Sequence, residues 1–405
     1  MKSIGGRMTL ETSTTRKLLL KLSAGLAILF ATALLLAVAE FIARIAMSSP
    51  LSVHKLFPEY SRAIYKTIEF DSVANINRFG FRGAETRLLP GQVVVIGDSF
   101  AFGWGLPDDE TWPKKLQDDL SKSGTPFDVY NLGRPGADPD DYLDIARTYI
   151  PVLRPKVLLV SLLQGEDLAQ LLQKRIRDGD SQEVIPMSQT TSGTIERYFP
   201  GLVATSRFIH HPRIMATSTW EADVRFRLEH SALFKRFGET FALLPHDLQK
   251  LIETGNINPA LIANAADFPD EYVAPYEQDN APWLGERISL IVREIKLLVE
   301  ANGGTLILLS MPHGAYFLTE TKSNLGRMGY ALAPANSNAP DEFVDKIADS
   351  THTKAILLAQ KLRSRNDLDK MWYAFDAHPT RYGSEVLEKH MFEVVRGVLV
   401  QSQNQ

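Results

Sequence analysis

The chain has 405 residues, which is enough for one large domain or two domains of moderate size. Its hydrophobic fraction of 44% and charged fraction of 23% are those of a globular protein, and a net charge of −4 without long Lys/Arg runs argues against a nucleic-acid partner. Because the sequence contains no cysteine, it has no disulfide framework, thiolate nucleophile or cysteine-ligated zinc site.

The N-terminus carries a long apolar segment. Residues 22–39 contain no charged side chain and consist mainly of Leu, Ala, Ile and Phe. With its apolar shoulders the segment covers residues 18–45, which is long enough to cross a bilayer core of about 30 Å. Basic residues precede it, so the positive-inside rule places residues 1–17 in the cytoplasm and the rest in the periplasm or outside the cell. We expect a single-pass signal anchor in the lipid bilayer. A cleaved signal peptide is the alternative, because residues 37–39 (Ala-Val-Ala) resemble a cleavage site.

After the anchor, residues 46–90 are expected to form a linker and entry segment, and a regular alternation of strands and helices begins at residue 91. Strands are predicted at residues 93–96, 127–131, 157–163, 305–310 and 371–375. Helices are predicted around residues 112–120, 142–149, 288–298, 355–362 and 381–399. The most apolar strand, at residues 157–163, is expected in the centre of the sheet.

The alternation is interrupted once, at about residues 176–282, where no clean period is visible and we expect an insertion of mixed helix and loop. Elsewhere, strands that alternate with helices favour right-handed βαβ units. The predicted fold over residues 91–400 is therefore a three-layer α/β sandwich with a mostly parallel, five-stranded, flavodoxin-like sheet.

Three residues at opposite ends of this pattern could form a catalytic site. Ser99 ends a Gly-Asp-Ser turn directly after the first strand, and Asp376 and His378 precede the last helix. A bare Gly-Asp-Ser sequence is more often only a turn. Sites in parallel sheets, however, lie at the carboxyl ends of strands. A serine, a histidine and an aspartate together are the groups needed for nucleophilic acyl transfer.

These motifs resemble those of the SGNH (GDSL-like) hydrolases, in particular membrane-anchored bacterial members. Residues 97–99 match the nucleophile block, residues 131–136 (Asn-Leu-Gly-Arg-Pro-Gly) the second block and residues 164–168 the third, and Asp376 and His378 match the last. The resemblance covers residues 74–175 and 283–400. It implies the SGNH fold, a serine esterase activity through Ser99, His378 and Asp376, and an oxyanion hole that includes Ser99 and Gly136.

The sequence departs from the family pattern at Glu166, where the family places an asparagine that donates to the oxyanion. An ionised carboxylate only accepts hydrogen bonds. Three alternatives are open: Glu166 is protonated by burial, it points away from the site, or the oxyanion hole relies on backbone donors. The family's last block is commonly D-x-x-H, whereas this chain has D-x-H. This short spacing, and the lack of a G-x-S-x-G motif, argue against an α/β-hydrolase.

Other residues are weaker candidates. Trp104 and Arg134 lie beside the proposed catalytic motifs and are candidates for shaping the substrate pocket. His313 could line the site or be a structural loop histidine. Two adjacent histidines at positions 210 and 211 favour a surface loop over a metal site.

The leading functional hypothesis is an extracytoplasmic serine esterase that removes O-acyl groups from a glycan. The alternatives are an O-acetyltransferase with the same three residues and a non-catalytic glycan assembly protein on this fold. We expect no cofactor and no metal.

Overall fold

The computed structural model describes residues 21, 23–39, 56–57, 61–178 and 240–403, and its chain divides into two compact units. The described part of the first unit is an α-helix seen over residues 23–39 (α1). No helix among the described residues is long and apolar enough to cross a membrane. The expected cytoplasmic segment and the histidines at 210 and 211 lie outside the described residues.

The second unit contains the elements that concern function. Its strands are β1 (Arg62–Lys66), β2 (Asp71–Asn75), β3 (Val93–Gly97), β4 (Val129–Gly133), β5 (Val157–Leu163), β6 (Thr305–Met311) and β7 (Lys354–Leu357). Its α-helices are α2 (Ser99–Phe102), α3 (Trp112–Lys122), α4 (Pro139–Leu153), α5 (Glu166–Asp178), α6 (His246–Glu253), α7 (Pro259–Asp267), α8 (Ala281–Ala301), α9 (Glu320–Arg327), α10 (Ala339–Thr351), α11 (Leu358–Leu362) and α12 (Arg381–Gln403).

Five parallel strands form the main sheet, in the order β4-β3-β5-β6-β7. When these five strands alone are numbered 1 to 5 in chain order, their order in the sheet is 2-1-3-4-5, the flavodoxin-like arrangement. The predicted five-stranded parallel sheet is thus confirmed. Strand β5 is central and all seven of its residues are buried, as its unbroken apolar sequence predicted.

Helices cover both faces of this sheet and make the protein a three-layer sandwich. One apolar core joins the sheet to α3, α11 and α12, and includes Leu116 and Leu387. The other joins the opposite face to α4, α8 and α10, and includes Tyr142 and Ile291. Alternate residues of β3 serve the two cores, since neighbouring side chains of a strand point to opposite faces.

The position of the fifth strand was predicted wrongly. The structure places β7 at Lys354–Leu357, which overlaps the start of the helix predicted at residues 355–362, and only the following Leu358–Leu362 is helical. A four-residue edge strand that runs directly into a helix is too short to show a period of its own.

Residues 371–375, which were predicted as that strand, form a loop that folds back on itself. The amide of Tyr373 donates to the carbonyl of His378 at 2.9 Å, and the amide of Thr380 donates to that of Met371 at 2.8 Å. Trp372 and Met371 are buried against the core, which explains why the segment is apolar without belonging to the sheet.

Part of the segment expected as a linker is folded and belongs to the second unit. Strands β1 and β2 form an antiparallel hairpin. Its buried residues Tyr65, Phe70 and Ala74 pack with Phe102 of the short helix α2. The described end of the insertion, from residue 240, contains α6 and α7 and agrees with the expected mixture of helix and loop.

Candidate active site

Ser99 lies at the carboxyl end of β3, where the chain turns sharply into the four-residue helix α2. Asp98 caps this helix, since its Oδ1 accepts the amide of Phe100 at 3.0 Å. Two glycines make the tight turn possible. A Cβ at Gly97 would lie 2.7 Å from that of Ala101, and a Cβ at Gly133 would lie 2.3 Å from the backbone nitrogen of Phe102. The motif therefore sets a helix closely against two strands and presents Ser99 at their ends.

Two residues to which sequence reasoning gave no role hold the far end of α2. Asn131 donates from Nδ2 to the carbonyl of Ala101 at 2.9 Å. The buried guanidinium of Arg82 donates to the carbonyl of Phe102 at 2.7 Å and pairs with Asp108 at 3.1 Å. The last carbonyls of a helix have no partner within it, so these two side chains satisfy them. An Asn in the second motif block was visible in the sequence, but nothing local singled out Arg82.

The three predicted catalytic residues come together in one hydrogen-bonded row. His378 Nε2 lies 2.7 Å from Ser99 Oγ, and His378 Nδ1 lies 2.6 Å from Asp376 Oδ1. Both links are short enough for strong hydrogen bonds. With the proton on Nδ1 donated to Asp376, Nε2 has a lone pair for the serine proton. The arrangement can therefore activate Ser99 as a nucleophile.

The surroundings of His378 favour its protonated form. Burial lowers the pKa of His378, but the adjacent Asp376 carboxylate opposes this through its charge and hydrogen bond, and the net pKa is raised above the usual value. Glu166 and Asp98 add to the rise. An imidazolium formed during the reaction is thus stabilised in place.

The residues predicted for the oxyanion hole lie at the same edge of the sheet. Gly136 is exposed in the turn between β4 and α4, with a φ of 71°. Glu166 is the first residue of α5, directly after β5, and its Oε1 accepts from Gln170 at 3.2 Å. Burial raises the pKa of Glu166; His378 opposes the rise and Asp376 adds to it. The neighbouring Asp167 accepts the amide of Leu163 at 2.8 Å and so joins the end of β5 to the first turn of α5.

Several carboxyl groups lie near His378. Burial, and next the charge of Glu166, raise the pKa of Asp98 to about 7. Burial and the charge of Glu166 also raise the pKa of Glu271 well above its usual range. Since like charges at close range disfavour ionisation of one another, these groups share fewer negative charges than their number suggests. Glu271 comes from the insertion and was not a candidate in the sequence.

The weaker candidates have distinct places. The Trp104 ring stacks on that of His378 with centroids 5.7 Å apart. His313 is buried beside Phe100 and Tyr272, and burial lowers its pKa to about 3, so it is neutral. Arg134 pairs with Asp141 at 2.7 Å and so stabilises the turn into α4. Among the described residues, no group of three or more His, Asp or Glu could hold a metal ion.

Comparison with known proteins gives structural likenesses only. No protein-family model and no curated protein sequence matches the chain. Solved structures that match include the acetyl xylan esterase AlAXEase, at 10% identity and TM-score 0.37 over 75% of this chain and 99% of that one. A lipase/acylhydrolase from Enterococcus faecalis matches at 12% identity and TM-score 0.36, over 76% and 96%. The psychrotrophic esterase EstA from Pseudoalteromonas matches at 10% identity and TM-score 0.34, over 76% and 98%.

At these identities and TM-scores the likeness carries no argument about function, so the case for function rests on the geometry of the site. The fold and the site together define an α/β protein with a serine, a histidine and an aspartate joined at the carboxyl edge of a parallel sheet.

Proposed function

We propose that this protein is a serine esterase of the SGNH type, with Ser99 as nucleophile, His378 as general base and Asp376 as the residue that orients the imidazole. The observation that carries the proposal is the row of hydrogen bonds at 2.7 and 2.6 Å from Ser99 to Asp376. Ser99 and His378 are 279 positions apart in the sequence, and Asp376 and His378 are 2 positions apart. In the folded chain each of the three has the role that its chemistry allows.

The reaction follows from these positions. His378 Nε2 takes the proton of the Ser99 hydroxyl as Oγ bonds to the ester carbonyl carbon. The imidazolium then gives this proton to the departing alcohol as the carbon–oxygen bond breaks, which leaves an acylated serine. A water molecule, deprotonated by His378, attacks the acyl group, and the proton returns to Ser99 as the acid leaves.

The developing oxyanion needs donors in fixed positions. In our proposal the amide of Ser99 is one of them, since it is the first amide of α2 and a helix offers no internal partner for it. Gly136 supplies the second from the turn after β4. Such donors are usually among the largest contributions to acyl transfer.

Glu166 provides a third donor in this proposal because its carboxyl group is protonated. A neutral carboxylic acid donates one hydrogen bond, as the amide of an asparagine does. Burial, which is the largest cause, and the nearby Asp376 raise the pKa of Glu166 against the opposing effect of His378. A charged Glu166 would also repel the carboxylates of Asp98 and Glu271. Of the three alternatives left by the sequence, this one agrees best with the surroundings of the residue.

We further propose that residues 18–45 anchor the enzyme in a bilayer with the esterase outside the cytoplasm, and that its substrates are O-acyl groups on a glycan. The uncharged stretch at residues 22–39 and the basic residues before it support the anchor. The glycan follows from that location and from the family resemblance. Fusion of alkaline phosphatase after residue 60 tests the orientation: an inactive fusion contradicts it.

Esterase activity is tested with the full chain in detergent. We expect wild-type protein to hydrolyse p-nitrophenyl acetate and to be labelled by a fluorophosphonate, and Ser99→Ala to do neither. Wild-type protein that is neither active nor labelled contradicts the enzyme and leaves a non-catalytic glycan assembly protein. Labelling without hydrolysis, together with acetyl transfer to an added oligosaccharide, identifies the O-acetyltransferase instead.

A further inference from the structure

The loop that carries Asp376 and His378 is held by a carboxylate from the N-terminal hairpin. Glu69 lies in the turn between β1 and β2, more than 300 positions before the loop in the sequence. Its Oε1 accepts the amide of Phe375 at 3.0 Å, and its Oε2 accepts the amide of Asp376 at 2.8 Å. One side chain thus takes both amides at the start of the catalytic loop.

This loop needs such support because its backbone is strained. Ala377, between the two proposed catalytic residues, is buried and has a φ of 70°, in the left-handed region. A residue with a Cβ is disfavoured there and holds that conformation only when its surroundings impose it. The D-x-H spacing leaves just this residue to turn the chain so that Asp376 can reach His378.

The turn that carries Glu69 is itself firmly placed. Thr67 Oγ1 accepts the amides of Glu69 and Phe70 at 3.1 and 3.3 Å. The amide of Ile68 donates to the carbonyl of Asn256 at 3.0 Å, and the Phe70 ring packs on that of Tyr373 at 4.9 Å. Glu69 therefore acts from a fixed support, and its hydrogen bonds transmit the position of the hairpin to the loop.

We propose that Glu69 is a positioning residue of the esterase site, which fixes the backbone of Phe375 and Asp376 and thereby directs the Asp376 carboxylate at His378 Nδ1. The inference rests on the proposed function for its catalytic meaning. The contact itself is independent of that function. The β1–β2 hairpin is, on this view, part of the active-site machinery.

The variant Glu69→Gln tests this role, because it keeps the shape of the side chain but replaces one acceptor oxygen with an NH2 group that cannot accept. Glu69→Asp keeps a carboxylate but shortens the side chain by one methylene, which moves it away from the amides of Phe375 and Asp376. The matched control is Asp71→Asn on the same hairpin, whose side chain is 67% exposed and pairs only loosely with Lys66 at 3.6 Å.

In the full chain, we expect both Glu69 variants to lower kcat for p-nitrophenyl acetate about 10- to 100-fold with little change in KM, as for a misplaced catalytic group. The acidic limb of the kcat/KM profile should move to lower pH, because His378 loses the partner that raises its pKa. Asp71→Asn should leave both unchanged.

A second readout does not require catalysis. In protein labelled with 15N-histidine, the proton between His378 Nδ1 and Asp376 is expected at low field in the NMR spectrum of the wild type and of Asp71→Asn. It should be lost or shifted upfield in both Glu69 variants. If these variants lower only the melting temperature, with the pH profile and the low-field proton unchanged, the role of Glu69 is purely structural and the proposal is overturned. If the wild type shows no esterase activity, the proposed function fails, while the low-field proton still decides the role of Glu69.

Discussion

Replacement of Asp376 by asparagine tests the catalytic row most directly. The Asp376 side chain is 4% exposed and lies 2.6 Å from His378 Nδ1, and its backbone amide is held, so an asparagine should occupy the same place. Its amide group can turn an NH2 towards Nδ1, and the ring proton then moves to Nε2. That tautomer presents an N–H to Ser99 Oγ at 2.7 Å and cannot accept the serine proton.

We expect Asp376→Asn to lower kcat about 10⁴-fold, the loss typical of this substitution in a Ser–His–Asp site. At 1.36 kcal/mol for each tenfold, this is about 5.4 kcal/mol of activation free energy. The assay is hydrolysis of p-nitrophenyl acetate over a range of pH. The acidic limb of kcat/KM should lie above pH 6.5 in the wild type, because the net pKa of His378 is raised and the neutral ring is the active form.

The control for this experiment is Asp367→Asn, which changes a carboxylate that pairs with Arg365 at 2.8 Å, away from the row. Its activity should stay within about twofold of the wild type, because Asp367 bonds to Arg365 and Tyr382 and to none of the three proposed catalytic residues. The catalytic assignment is refuted if Asp376→Asn keeps more than about one tenth of the wild-type kcat, or if Asp367→Asn lowers kcat as strongly as Asp376→Asn does.

Three further outcomes are expected. Glu166→Gln, which is always neutral and still donates, should keep esterase activity, and this activity should fall less than that of the wild type as the pH rises, because only the wild-type side chain can ionise; a steady loss at every pH in the same ester assay would contradict a protonated Glu166. Leu116→Ala should lower the free energy of unfolding by about 2–5 kcal/mol in urea titrations, since Leu116 is fully buried in one core, whereas Leu297→Ala, 58% exposed, should change it little. Burial raises the pKa of Glu388 from 4.5 to about 7, so the native state keeps a proton that the unfolded chain releases, and the free energy of unfolding falls as the pH rises through this window. Glu388→Gln should therefore unfold at a higher urea concentration than the wild type at pH 8 and at the same concentration at pH 4. A gain of the same size at both pH values would exclude this linkage.

Much of the fold could be predicted from the sequence because its signals are local. The unbroken apolar run of β5 placed it in the centre of the sheet, and the structure confirms this. The helix predicted around residues 112–120 is α3, and Trp112, Leu116 and Leu120 are among its buried residues. The prediction failed at β7, where a short edge strand without its own period runs into α11.

The sequence by itself determined the chemistry available to this protein: a serine after an apolar strand, and an aspartate and a histidine two positions apart. Their types, order and spacing are local properties that any reader of the chain can see. The tertiary structure alone decided what supports them. Arg82 holds the end of α2, Glu69 holds the loop that carries Asp376, and neither residue belongs to a motif. Hydrogen bonds between residues far apart in the chain leave no periodic mark in it, so only the folded backbone shows which polar side chains meet which free amides and carbonyls.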